Sequence, residues 1–380
     1  MMAKRIKWNH FLNYIVVGGF TLVFAILSLT TGLEKSTVYL FEKIAIAIIL
    51  AVSLNLVVGF LGELSLGHAG FMCVGAYLGG KTASLLVSSL GNGPLTLLIA
   101  LIVGGVCASV CGVIIGLPAL RLKGDYLAIV TLGFGEIVKS IFQNTSRESF
   151  GGALGLETPR YDKDTLFLYA FGCVLITLAV IQNLMRSKHG RAITAIRDNE
   201  IAARATGINV TKYKLIAFTM SAFFAGIAGV LYSYSNYNVQ SAKFGYNYSI
   251  EILVMVVLGS IGSINGSIIA ATLITFINTK LATILTGNLA VLQNLLYALI
   301  LIVIVIYSNA PALKGFREKY DLSKLFDKRR KPRDPSVIKD DSAKWGRIPT
   351  KIPMDEVLSV DVVSQETGTM EPDKESKGEE

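Results

Sequence analysis

Charge is scarce in this sequence, and so is every residue constellation that a catalytic or metal centre needs. Only 17% of its 380 residues are Asp, Glu, Lys or Arg, against 52% hydrophobic residues, and mean hydropathy is +0.55. Soluble domains carry about 25% charged residues, so the chain reads as a polytopic membrane protein. The four cysteines, Cys73, Cys107, Cys111 and Cys173, lie inside apolar runs with no Cys-x-x-Cys pair and no histidine at metal spacing. They read as small buried thiols, with neither disulfide nor metal expected. No Gly-x-x-x-x-Gly-Lys-Ser/Thr loop and no nucleophile constellation occurs, which argues against an enzyme and against a cofactor of the chain's own. If ATP drives its action, another chain binds it. The net charge of +9 would suit nucleic acid, but the basic residues fall between apolar runs instead of forming a face with interleaved aromatics. The positive-inside rule explains them better, and no nucleic-acid partner is expected.

What is abundant is uncharged sequence. A membrane span needs about 20 apolar residues, and ten segments qualify or nearly so: Phe11–Thr30, Ile44–Gly62, Gly67–Ser88, Leu95–Leu117, Tyr126–Phe142, Thr165–Met185, Leu215–Asn236, Ile250–Ile261, Ile264–Asn278 and Leu289–Ser308. The basic N-terminus MMAKRIKWNHF has no clear cleavage site after it and reads as the start of an uncleaved first span. Lys4–Lys7, the segment Arg186–Lys214 and the stretch after Pro311 are all basic and belong in the cytoplasm. That parity requires six crossings before Arg186 and four after it, so Ile250–Ile261 has to count as a short crossing. The expected fold is therefore an all-α polytopic membrane protein of about ten transmembrane helices in two pseudo-repeated halves, with both termini cytoplasmic. Residues 1–310 form the membrane domain. Residues 311–380 form a charged tail, first basic (thirteen Lys or Arg against six Asp or Glu in 314–351) and then acidic (two against nine in 352–380). Such a tail is expected to be disordered, its basic part suited to anionic lipid.

Between two of these runs lies MRSKHGRAITAIRDNEIAARATGINV, residues 185–210, carrying Arg186, Lys188, His189, Arg191, Arg197, Asp198, Glu200 and Arg204. Charges unpaired in lipid cost several kcal/mol, on the order of 2.5–3.5 each, so this segment faces water. Its pattern predicts one short helix over 191–197 and a second over 199–206, with Asp198 as N-cap and Gly207 ending it in the left-handed conformation. On the second helix Ile201 and Ala205 share a face, and Glu200 pairs with Arg204 on another. A plain topology signal would need none of this, and so short a helix needs a cytoplasmic partner to complete it.

Glycines cluster at Gly59, Gly62, Gly67 and Gly70, and again with serines over Gly259–Ser267. Breaks of this kind inside a membrane are tolerated beside protein or a water-lined cavity. Two of them, one per half, point to a gating or binding region between them, with tight helix packing as the plainer account. His68 suits a proton carrier or ligand, although a histidine in a Gly-Ser turn is more often a structural hydrogen-bonding residue. Glu136 lies three residues before Lys139 and can pair with it inside the bundle. Glu63, Asp125 and Glu251 fall at span ends, where interfacial roles suffice.

Four stretches together carry a resemblance. They are Gly190-Arg191-Ala192-Ile193 with Ala195-Ile196-Arg197-Asp198-Asn199-Glu200, Ala202-Ala203 and Gly207; Gly62–Phe71; Leu122–Glu136; and Val257–Gly266. In this combination and order the chain resembles the branched-chain amino acid ABC transporter permeases of the LivM type, over most of residues 40 to 308. The resemblance implies that residues 186–210 are a coupling loop docking on a cytoplasmic ATPase, through Gly190, Arg191, Arg197, Asp198, Glu200, Ile201, Ala202, Ala205 and Gly207. The glycine breaks and the polar residues beside them place an expected substrate path near Ser65, Gly67, His68, Gly70, Thr131, Glu136, Gly259, Ser260, Gly262 and Asn265, which is compatible with that family. The partners the resemblance implies are two ABC ATPase subunits, a second homologous permease and an extracytoplasmic binding protein, in a bacterial inner membrane. Two features depart from the pattern: Phe150-Gly151-Gly152-Ala153-Leu154-Gly155-Leu156, where relatives often carry a polar residue near the middle, and the long charged tail. Urea or short-amide permeases look similar. An ion-gradient transporter would need intramembrane acids, of which Glu136 is the plausible one.

Overall fold

The computed structural model describes residues 17–19, 21, 34–122, 124–159, 163–284, 295–296, 298–299 and 302. Because uncharged runs of this length bury every backbone polar group by coiling, the described residues are overwhelmingly helical. Helix α1 spans Lys35–Asn55 and continues through a π-helical turn, Leu56–Leu61. The chain then turns through Gly62–Gly67 into α2, His68–Leu90. Helix α3 is Pro94–Ala119, with proline at its first position where no amide partner is lost. Helix α4 is Asp125–Asn144, α5 is Lys163–Arg186, and α8 is Val210–Ser235. Between α5 and α8 lie the two short helices α6, Lys188–Asp198, and α7, Glu200–Ala205. Helices α9, Tyr246–Leu258, and α10, Ile264–Ile284, close the described part.

Helix α1 is the axis. It is hydrophobic all round and 94% of its most apolar window is buried, as a helix surrounded by others must be. Helices α5, α8, α9 and α10 pack on it. Helices α2, α3 and α8 form the tightest group, and small residues are the reason: a Cβ on Gly226 of α8 would lie 2.6 Å from the Gly104 carbonyl oxygen of α3, so only glycine permits this backbone approach. The outer faces of α3 and α10 stay apolar and exposed, through Ile102, Val106, Val110 and Ile114 on one and Ile269, Leu273 and Phe276 on the other. Surfaces of this kind suit lipid or another helix of a membrane assembly.

At the end of the bundle away from α6 and α7, a two-stranded antiparallel ribbon joins β1, Leu156–Glu157, to β2, Asn238–Val239. It is a small β addition to an all-α expectation. Tyr77, stacked on Phe142 at 4.3 Å, donates its hydroxyl to the Val239 carbonyl at 2.9 Å. Thr158 holds Ser233 and Tyr237, and Tyr39 donates to Asn236 at 2.8 Å.

Among the described residues six helices are long and apolar enough to cross a membrane: Lys35–Leu61, His68–Leu90, Pro94–Ala119, Thr165–Arg186, Val210–Ser235 and Ile264–Ile284. The chain is thus a multi-pass membrane protein, and ten crossings are not reached among these residues. The expected first and last spans, Phe11–Thr30 and Leu289–Ser308, and the tail 311–380 lie wholly or mostly outside the described residues. Helix α4 carries charge within its length. Helix α9 has 13 residues, about 20 Å of rise, which is short of the ~30 Å of a bilayer core, so Ile250–Ile261 is not a crossing helix by itself. It begins halfway along the bundle: the Tyr246 amide donates to Glu136 Oε1 at 2.8 Å, and Glu136 is the twelfth residue of the 20-residue α4. The extended Asn236–Gly245 segment, with its 3₁₀ turn Ser241–Phe244, makes up the rest of the descent.

The glycine contact gives a direct check. Gly226→Ala should lower the thermal unfolding midpoint in detergent, at a cost of about 1–3 kcal/mol for an overpacked site. Gly172→Ala, where a Cβ meets nothing within 4 Å, should leave it unchanged or raise it slightly.

Candidate functional site

The charged segment folds as two capped helices. Ser187 caps α6, its side chain accepting from the His189 and Gly190 amides at 3.1 and 3.4 Å. Gly190 is required where it stands, because a Cβ there would collide with the backbone of Leu184 and Met185. Asn199 caps α7, with Oδ1 accepting from the Ala202 amide at 3.0 Å. The expected cap was Asp198, one residue earlier. Asp198 instead ends α6 and is held by the Arg197 guanidinium at 2.9–3.0 Å, leaving the extended conformation, and with it the capping role, to Asn199. Glu200 accepts from Arg204 at 3.0 Å, and Gly207 stands at φ +84°. Buried Ala192, Ile193, Ile196 and Ala203 anchor the pair to the bundle. Its outward side presents Arg191, Asp198, Ala202 and Ala205, with Ile201 79% exposed.

This pair of helices sits on the place where α1 breaks. The π-helical turn Leu56–Leu61 ends at Gly62, in the left-handed conformation at φ +81°. Arg197 Nη1 donates to the Gly59 carbonyl at 3.2 Å, and a Cβ on Gly62 would lie 2.7 Å from Arg197 Cγ. From the first turn of α8, Lys214 reaches into the junction. It is 3% exposed and pairs with Glu63 beyond the break and with Glu200 of α7 at 3.2 Å. One buried ammonium thus joins the broken axis, the charged helices and α8. Removing one partner of such a group costs about 3–5 kcal/mol.

Above the junction, side chains satisfy the interrupted backbone. Asn55 donates to the Ser263 carbonyl at 3.1 Å and to Ser267 Oγ at 3.0 Å, and accepts from the Gly262 amide at 2.9 Å. It welds the first glycine break to the second. Thr131 Oγ1 accepts from the Leu66 amide at 3.0 Å, and Ser249 Oγ from the Ala69 amide at 3.1 Å, so the turn into α2 is held by α4 and α9. His68 Nε2 lies 2.9 Å from Ser53 Oγ. Ser53 Oγ also lies 3.0 Å from the Leu50 carbonyl.

The anticipated path residues therefore divide. Ser65, His68 and Thr131 are buried, and His68 and Thr131 act as ties. Gly67 is the N-cap of α2, and Gly70 faces Gly135 of α4, whose Cα would stand 2.8 Å from an added Cβ. Gly259 packs on Gly266, Ser260 turns at φ +72°, and Gly262 turns at φ +82°. Asn265 is exposed at the start of α10. Glu136 stands apart, paired with Lys139 at 2.5 Å. Sequence reasoning missed Asn55 and Lys214 and gave Glu63 only an interfacial role. An asparagine inside the uncharged run Ile44–Gly62 was the available signal, since such a group needs internal partners. Among the described residues no group of three or more His, Cys, Asp or Glu could hold a metal ion.

Asn55→Ala should strand Gly262 and Ser263 groups in an apolar environment and destabilise the protein by about 1–3 kcal/mol for each one left unpaired. A drop in the unfolding midpoint, against an unchanged one for Asn144→Ala on an exposed helix end, would show it.

Residues 36–305 match the family described as branched-chain amino acid transport system / permease component. The chain is 38% identical over 273 residues to the high-affinity branched-chain amino acid transport system permease protein LivM of Escherichia coli K12, covering 63% of this chain and 62% of that protein. The Salmonella typhimurium protein of the same description is 40% identical over 261 residues, covering 60% of each. More distant is the ribose import permease protein RbsC of Escherichia coli K12, 25% identical over 289 residues, 70% of this chain and 84% of that one. No solved structure matches the chain. The chain therefore spans less than two thirds of the two LivM proteins, and the match runs across every motif of the junction: the protein belongs to the family of branched-chain amino acid transport permease components.

Proposed function

We propose that this chain is the membrane-spanning permease subunit of an ATP-binding cassette importer that moves branched-chain amino acids into a bacterial cell. The observation that carries the reading is Lys214: a buried cation tying the exposed, capped pair α6–α7 to the break in α1. A passive loop has no use for such a tie. A loop pushed by a partner does, because displacement of α6–α7 reaches the centre of the bundle without crossing flexible chain. The substrate class follows from the two LivM relatives named above.

The partners are two cytoplasmic ATPase subunits that bind and hydrolyse ATP, a second homologous permease chain and an extracytoplasmic binding protein. The α6–α7 end faces the cytoplasm, as do both termini. Residues 1–310 form the permease domain, and 311–380 a charged tail whose first part is basic. Arg191, Arg197, Asp198, Ile201, Ala202 and Ala205 meet the ATPase, with Gly190 and Gly207 shaping the helices that carry them.

Two variants separate docking from transmission in complexes reconstituted in proteoliposomes with the binding protein. Ile201→Asp should abolish co-purification of the ATPase while the permease stays folded. Lys214→Met should keep the ATPase bound and hydrolysing but lower leucine uptake per ATP by about tenfold, the scale of a coupling energy of 1–3 kcal/mol. Unchanged uptake in both would remove the coupling assignment. Uptake that collapses with a protonophore while ATP stays high would establish an ion-gradient transporter, and uptake of urea in place of leucine would move the substrate class.

A further inference from the structure

Helix α4 does not have the surface of a helix bathed in lipid. Its residues fall into three stripes at helical spacing. Leu127, Ala128, Thr131, Phe134, Gly135, Val138 and Phe142 are buried against the bundle. Tyr126, Ile129, Val130, Ile137 and Ile141 are exposed and apolar, a stripe that lipid suits. Beside it, in the second half of the helix, Glu136, Lys139 and Gln143 follow one another at steps of three and four residues, with the exposed Ser140 one turn after Glu136. This polar stripe occupies the second half of the helix, and the ion pair stands at its start.

The pair is also not sealed. The Lys139 and Glu136 side chains remain 24% and 32% exposed, at the depth where α9 begins, and the Tyr246 amide at the start of that helix rests on Glu136. Ionised groups open to hydrocarbon at mid-depth are expensive, whereas groups at a water-lined passage are not. Half-helices that start at mid-depth beside such a passage are a recurring arrangement in transporters. Neither residue contributes to the buried face of α4; within the chain the contact of the pair is with the start of α9, at Gly245 and Tyr246.

We propose that the Glu136–Lys139 stripe of α4 lines the translocation path and that the pair forms the station over which the charged head of a zwitterionic α-amino acid passes. The substrate ammonium exchanges for Lys139 at the Glu136 carboxylate, and the substrate carboxylate is received by the Lys139 ammonium. The apolar side chain of the substrate then crosses without its two charges being stripped of partners. The proposal rests on the importer reading above and adds to it the site and the chemical class it takes.

The test uses the complete reconstituted importer with binding protein and leucine. Glu136→Gln and Lys139→Gln should each reduce uptake about tenfold or more, the scale of one lost charge-assisted hydrogen bond, while ATPase co-purification and stimulated ATP hydrolysis stay at the unsubstituted level. The double variant should be at least as defective as either single one. If the pair were only a structural bridge, removing both partners together would restore uptake, and that result overturns the proposal. In an active background lacking Cys73, Cys107, Cys111 and Cys173, Gln143→Cys and Ser140→Cys should react with a membrane-impermeant thiol reagent and be protected by leucine in transport, whereas Ile137→Cys should not react. Equal labelling of all three, or of Ile137→Cys alone, also overturns it. If the unsubstituted complex moves no leucine, the importer reading falls instead. If it transports normally with either single substitution, only the α4 station falls.

Discussion

A helix end packed against other helices leaves amides and carbonyls that need partners from those helices, and α1, after a run long enough to cross a membrane, ends against α6 in this way. Almost everything notable about the chain answers that constraint. Each open backbone group costs on the order of several kcal/mol in such surroundings, so the break from Leu56 to Gly67 survives because other elements supply partners: Thr131 from α4 for the Leu66 amide and Arg197 from the charged pair for the Gly59 carbonyl, with Ser249 of α9 holding the Ala69 amide just beyond. The bond from Arg197 matters most for function. The Gly59 carbonyl is satisfied by a side chain whose helix otherwise lies outside the apolar bundle. The water-facing helices and the broken axis are thus one hydrogen-bonded unit, and neither has its observed form without the other.

Glycine makes that unit possible in two distinct ways. At Gly62 the left-handed backbone and the nearness of Arg197 both exclude a Cβ. Along α2, α3 and α8 the glycines serve close packing, which holds helices together in lipid where no hydrophobic drive separates helix from solvent. The turn after the break uses the first kind and the three-helix group the second. A composition rich in glycine therefore reports a rigid scaffold around a small deformable point, and a uniformly loose bundle would need a different distribution.

Much of this was legible in the sequence, and what was not has a common cause. Membrane class, the long helices, the charged segment as a pair of capped helices and the positions of both breaks follow from local pattern, because span length and capping are decided within a few residues. The cap itself slipped by one, from Asp198 to Asn199. Two good capping residues stood adjacent, and the choice between them fell to the neighbouring Arg197. The short crossing at Ile250–Ile261 was placed by counting, but its start at mid-depth depends on Glu136, 110 residues away. Asn55 meets partners 207 to 212 residues away, and Lys214 meets Glu63 at 151. Such pairings are set by which helices become neighbours, and no local pattern encodes that. Similarity to the family supplied the region without the wiring.

The wiring constrains how any motion at the junction can proceed. Stripping Lys214 of a carboxylate while it stays buried costs about 3–5 kcal/mol, so a displacement of α6–α7 is cheapest if Glu63, Glu200 and Lys214 travel together. The strain must then be absorbed where the backbone tolerates a change of dihedral angle at low cost. Gly62 and Gly207, both at positive φ and flanking the unit on its two sides, are the points that meet this requirement, and at Gly62 the chain enters the turn that Thr131 and Ser249 hold. Rotation there would pull on the amides of Leu66 and Ala69, and through them on α4 and α9. On the coupling role proposed for α6–α7, the same bonds that hold the broken helix would set the direction in which a push on those helices is delivered.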